Sequence, residues 1–98
     1  MTQDPAPPHV RRNAPAHRFE LLLGDEVAGF IDYRERDGRI DLKHTEIDPR
    51  HEGRGFGARL VRGALEDCRG QGQQVIPSCT FVATFLQRHP DFADVASR

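Results

Sequence analysis

Apolar residues recur along this chain in two rhythms, a period of about two before Asp48 and a helical spacing after it. Phe19 to Leu23 forms a short apolar run, Gly24-Asp25 a turn, and Val27 to Arg34 a second run rich in β-branched and aromatic residues. These segments predict two strands paired as a hairpin. Asp37-Gly38 follows, and because both central positions of a type I′ turn need positive φ, it predicts a second hairpin into a third strand, Arg39 to Ile47. Strict alternation places Ile40, Leu42, His44 and Glu46 on one face and Asp41, Lys43, Thr45 and Ile47 on the other. Polar side chains then replace apolar ones toward the strand's end, as they would in a strand entering a site or at a frayed sheet edge.

Asp48-Pro49 stops this strand, since Pro lacks the ladder donor. A glycine-rich turn leads into a helix from about Gly55 to Arg69, with Phe56, Leu60, Ala64 and Cys68 at helical spacing and Val61 and Leu65 widening the stripe. Gly70 and Gly72 end it. Gln74 to Ile76 predicts a short buried strand, Pro77-Ser78 a turn, and Cys79 to His89 a second helix with the stripe Phe81, Val82, Phe85 and Leu86. The expected fold is α/β of the α+β kind: a mostly antiparallel sheet of about four strands with one parallel pair, and two main helices. Met1 to His17, with Pro5, Pro7, Pro8 and Pro15, predicts a disordered lead-in, leaving residues 18–98 as a single folded domain.

Composition narrows the function. No run approaches the roughly 18 apolar residues of a membrane helix, and the N-terminus has no apolar core of a secretory signal. A cytoplasmic location and no membrane partner are expected, with Cys68 and Cys79 as free thiols. Thirteen of the fourteen basic residues are Arg, yet fifteen acidic residues offset them to a net charge of −1. Interleaved charge of this kind argues against a nucleic-acid partner. Any anion site must be local.

Gly53-x-Gly55-x-Gly57 provides one candidate. The first N–H groups of a helix lack internal partners and carry partial positive charge, and glycines let the backbone close on a phosphate. The spacing departs from Gly-x-Gly-x-x-Gly, and no Gly-Lys-Ser/Thr ends it, so the nucleotide-binding motifs do not fit.

Preceded by an antiparallel meander and followed by helix and strand, Gly53-Arg54-Gly55-Phe56-Gly57 resembles the pyrophosphate-binding loop of the GNAT N-acetyltransferases. The pattern Gln/Arg-x-x-Gly-x-Gly/Ala falls on Glu52, Gly55 and Gly57, with Glu52 an acid where that superfamily prefers Gln or Arg. His44-Thr45-Glu46, Pro77-x-Cys79-x-Phe81 and Arg88-His89-Pro90 make the chain similar to a small GNAT-like subfamily of acetyl-CoA-binding proteins whose members lack the usual first helices. The resemblance implies a minimal GNAT-like fold and acetyl-CoA lying against the third strand at Thr45 and Ile47 and against Gly53, Arg54, Gly55, Phe56 and Gly57. It further implies an amine acceptor, whose site the missing helices would otherwise shape, and no metal.

Cys79 stands at a helix start, where the dipole favours the thiolate, and the resemblance makes it the candidate to touch or accept the acetyl group. The alternative is a small buried hydrophobe, which is the expected role of Cys68 on its core-facing stripe. His44 and Glu46 are candidate general bases, or else a polar pair capping a strand end. His89 is expected to be a helix-terminal residue. Many GNAT enzymes carry a Tyr on the last helix that protonates the departing thiolate. The single Tyr here, Tyr33, lies on the second strand. Its displacement supports the rival reading, a non-catalytic acetyl-CoA-binding or sensing module.

Overall fold

Five strands form one sheet in chain order: β1 (His9–Asn13), β2 (Arg18–Leu23), β3 (Glu26–Arg36), β4 (Arg39–Ile47) and β5 (Val75–Ile76). A computed structural model describes residues 7–97. Neighbours are antiparallel except β4 and β5, which run parallel because α1 (Phe56–Gly70) crosses over between them. The last helix is α2 (Thr80–Arg88). Asp37 and Gly38 both have positive φ, 52° and 76°, as the β3–β4 hairpin requires.

α1 buries Phe56, Leu60, Val61, Ala64, Leu65 and Cys68 against Phe19, Leu21, Ile31, Ile40 and Leu42 of the sheet. α2 adds Val82 and Phe85. Phe81, expected on the same apolar stripe, is instead 45% exposed. The C-terminal segment closes the core with Phe92 and Val95 and bonds to β5 on both sides of Val75, through Val75 N–H to the Val95 carbonyl (2.8 Å) and Ser97 N–H to the Val75 carbonyl (2.7 Å).

Two expectations need correction. Residues 9–17, expected within a disordered lead-in, form β1 and a short 3₁₀ turn, Ala14–Ala16; residues 1–6 lie outside the described residues. Distant partners order the strand. Val10 packs so closely on α1 that a Cβ at Gly63 would fall 2.5 Å from its Cγ2. Arg12 donates to Asp67 and Gln73, each at 2.8 Å, and covers the Phe19 ring.

The second correction concerns the faces of β4. Tyr33 pairs with Leu42 but Asp32 with His44, so Lys43 is an extra residue in a β-bulge. Alternation restarts there. Ile40 and Leu42 share the core face with Thr45 and Ile47, which lie opposite Ile31 and Gly29, while His44 and Glu46 turn to the other face beside Asp32 and Phe30.

Among the described residues that other face carries no helix, yet Glu20 on it is 1% exposed. Arg18 Nε lies 2.7 Å and Arg11 Nη2 2.8 Å from its carboxylate, and Asn13 donates at 3.2 Å. Burial pushes the Glu20 pKa up, but these hydrogen bonds outweigh it and hold the carboxyl below its usual value. A depressed carboxylate stabilises the fold fully above its unfolded pKa, about 4.3, and loses that contribution as pH falls through the folded value. Acidification below about pH 4.3 should lower the urea midpoint, and Glu20→Gln should flatten that dependence. Asp48 and Asp94, also depressed, leave a residual slope. Parallel pH profiles for the two proteins would refute the assignment.

Candidate functional site

β5 pairs with β4 only at Ile40 and Asp41, and the Cys79 N–H then bonds to the Leu42 carbonyl at 2.8 Å. Past that point β4 continues to Ile47 without a strand neighbour on this side. The sheet therefore opens into a wedge. Its mouth is reached by two helix starts, α1 with Gly55 as N-cap and α2 with Cys79 as N-cap. Both leave first-turn N–H groups without intrahelical partners. The two starts touch: a Cβ on Gly57 would come within 2.8 Å of the Phe81 ring, so glycine is needed for that approach.

Gly53 and Gly55 sit at φ 78° and 75°, in the left-handed region that side chains avoid. A Cβ at either would meet nothing within 4 Å. Conformation, then, and not crowding, calls for glycine in the turn, and the space before it is open. Arg54 lies with its guanidinium 4.9 Å from the Phe56 ring centre. Its charge meets no carboxylate among the described residues, whereas neighbouring Arg50 is paired with Asp48 at 2.8 Å. That pair holds the Asp48 carboxyl down to about 2.

The bulge at Lys43 divides the candidate reactive groups between two faces. Thr45 and Cys79 meet on the core side of the wedge, Oγ1 to Sγ 3.4 Å, with Cys79 8% exposed. Burial raises the Cys79 pKa, but the Thr45 hydroxyl and the Val82 and Phe81 amides at the helix start favour the thiolate, and the net shift is downward. Those amides make no capping hydrogen bond of regular geometry to the sulfur. Cys68 is fully buried on α1, and burial raises its thiol to about 11, an inert core residue.

His44 and Glu46 lie on the opposite face, exposed, with Nε2 and Oε1 3.4 Å apart. Beside them runs a cleft of about 680 Å³ lined by Arg18, Phe30, Glu46, Ile47, Pro49 and Glu52. Tyr33 is buried against Phe19 and stands away from the wedge among the core side chains. His89 ends α2, stacked 3.8 Å from Phe85 with Nδ1 2.8 Å from the Phe85 carbonyl oxygen, a structural position. Sequence patterning missed the exposure of Phe81, whose ring lies beside Gly57 at the start of α1.

No helix is long and apolar enough to cross a membrane among the described residues. Among curated proteins, none matches the chain. Among solved structures, the NMR structure of a GCN5-like protein from Staphylococcus aureus is similar with a TM-score of 0.69 and 25% identity, covering 91% of this chain and 87% of that one. A family model described as GCN5-related N-acetyl-transferase matches residues 18–95. The chain, with its mixed curled sheet and two helices, belongs to the GCN5-related N-acetyltransferase family.

Proposed function

We propose that the chain binds acetyl-CoA in the wedge and transfers the acetyl group to an amine. The observation that carries this reading is the convergence of two helix starts on the unpaired edge of β4, next to an arginine whose charge no carboxylate among the described residues neutralises. Amides of Gly53 to Gly57, with Arg54, would hold the diphosphate. The β4 edge at Thr45 and Ile47 would take the amide-bearing arm, since its free N–H and C=O groups accept a strand-like partner. Acetyl-CoA supplies an acyl carbon activated by a thiolate leaving group.

The chain's own groups then do the proton work. Glu46, or His44, takes a proton from the acceptor ammonium arriving from the open sheet face, freeing the nitrogen lone pair to form the C–N bond. As the C–S bond breaks, the Cys79 thiol or the Thr45 hydroxyl can donate to the departing sulfur. In the second route the Cys79 thiolate attacks the acyl carbon, releases the CoA thiolate, and holds the acetyl group as a thioester until the amine takes it.

Thiol release measured against a panel of amines, with intact-protein mass spectrometry, tests both routes. Transient addition of one acetyl group at Cys79 and none at Cys68 supports the covalent route, and turnover without an adduct supports direct transfer. Glu46→Gln should lower turnover about 10²-fold or more while leaving the acetyl-CoA dissociation constant near its original value, because a base acts on the transition state. Binding with no thiol release above hydrolysis would make the chain a non-catalytic acetyl-CoA-binding module.

A further inference from the structure

His51 lies in the short turn Pro49–His51 ahead of the glycine turn, and its side chain is only 15% exposed. Its Nε2 stands 2.6 Å from Glu26 Oε1 at the start of β3, and its Nδ1 stands 3.3 Å from Arg54 Nη1. The Phe56 ring of α1 packs on it at 6.0 Å between centres. Asp48, Arg50 and Glu52 are the remaining charged residues of the loop; Asp48 and Arg50 are paired with each other, and Arg50 also reaches Glu26 at 3.5 Å.

In a ring with a single proton, these contacts select the tautomer. A guanidinium has donors only, so the ring nitrogen facing Arg54 must be the acceptor, and the ring's single proton must sit on Nε2, where the Glu26 carboxylate accepts it. Donation then runs in one direction, from Arg54 to His51 to Glu26. A carboxylate in direct contact with Arg54 would hold it as firmly and cancel its charge. The neutral imidazole instead relays the hold and keeps the carboxylate one ring away, so Arg54 remains fixed and cationic at the mouth of the turn.

We propose that His51 is a positioning residue that orients Arg54 for the phosphates of a CoA ligand. The proposal rests on the reading of the glycine turn as the acetyl-CoA site. The probes are acetyl-CoA and acetyl-pantetheine, which lacks the phosphates, titrated against the whole chain. His51→Ala should weaken acetyl-CoA about tenfold, the worth of one charge-assisted hydrogen bond, and leave acetyl-pantetheine unchanged. His51→Gln should restore most of the loss, since an amide can accept from Arg54 and donate to Glu26 at once. His51→Ala combined with Arg54→Ala should cost no more than Arg54→Ala alone.

Long-range ¹⁵N–¹H spectra of the imidazole should show the Nε2–H tautomer before any ligand is added. A Nδ1–H tautomer, equal weakening of both ligands, or additive losses in the double variant would overturn the proposal. If the parent protein bound no acetyl-CoA, the site reading itself would fail, a result distinct from a parent that binds and a His51→Ala variant that binds equally well.

Discussion

Gly55→Val is expected to weaken acetyl-CoA binding by about a hundredfold or more while the protein stays folded. Gly55 is the N-cap of α1 at φ 75°, a conformation that costs a β-branched residue most. The turn would relax by rotating its peptides, and the amides that converge before the helix would diverge together. A valine there also projects into the open space where a phosphate must approach, since a Cβ at this position meets no protein atom. For the same reason the core is untouched: Phe56 and Leu60 keep their contacts, and the helical circular dichroism should persist. Calorimetric titration of parent and variant decides the matter. Equal affinities would show that phosphates are held elsewhere.

Phe92→Ala is expected to destabilise the fold by about 3–5 kcal/mol, the cost of emptying a buried phenylalanine site. Phe92 is 1% exposed and lies against Phe85, with the guanidinium groups of Arg62 and Arg69 at 5.2 and 4.6 Å from its ring centre. It ties the C-terminal turn to both helices, and through Val95 and Ser97 to β5. Domains of this size commonly hold about 5–15 kcal/mol in total, so the variant should sit near the edge of folding. The urea midpoint should fall with little change in slope. A loss under about 1 kcal/mol would mean that the C-terminal turn packs loosely and contributes little to the core.

The parts of this molecule legible in the sequence are those whose causes are local. Asp37-Gly38 announces its hairpin because two left-handed residues in succession have few other uses. α1 is readable because six buried residues fall on one helical stripe, and the glycine turn because Gly53 and Gly55 occupy conformations few other residues accept. The strand β1 escaped for the opposite reason. Its order depends on Val10 against Gly63 and Arg12 against Asp67, partners more than fifty residues away. Phe81 fits an apolar stripe as well as Phe85 does, and which of the two is covered is decided by tertiary packing and not by their spacing. The link from Arg54 through His51 to Glu26 joins loop to strand, with His51 and Glu26 alone 25 positions apart, and no spacing rule connects them.

The extra residue in β4 makes the buried set of that strand a matter of register. Lys43 is exposed and sits unpaired in the bulge, so its exchange for another polar residue alters little. Without the bulge, the full-length strand would alternate strictly through Lys43, turning His44 and Glu46 toward the core and Thr45 and Ile47 toward solvent, whereas deletion of Lys43 would place His44 directly after Leu42 and keep both sets on their present faces. Lys43 is thus replaceable in kind and dispensable in number, and what fixes the buried set is the slip of one residue that the bulge absorbs.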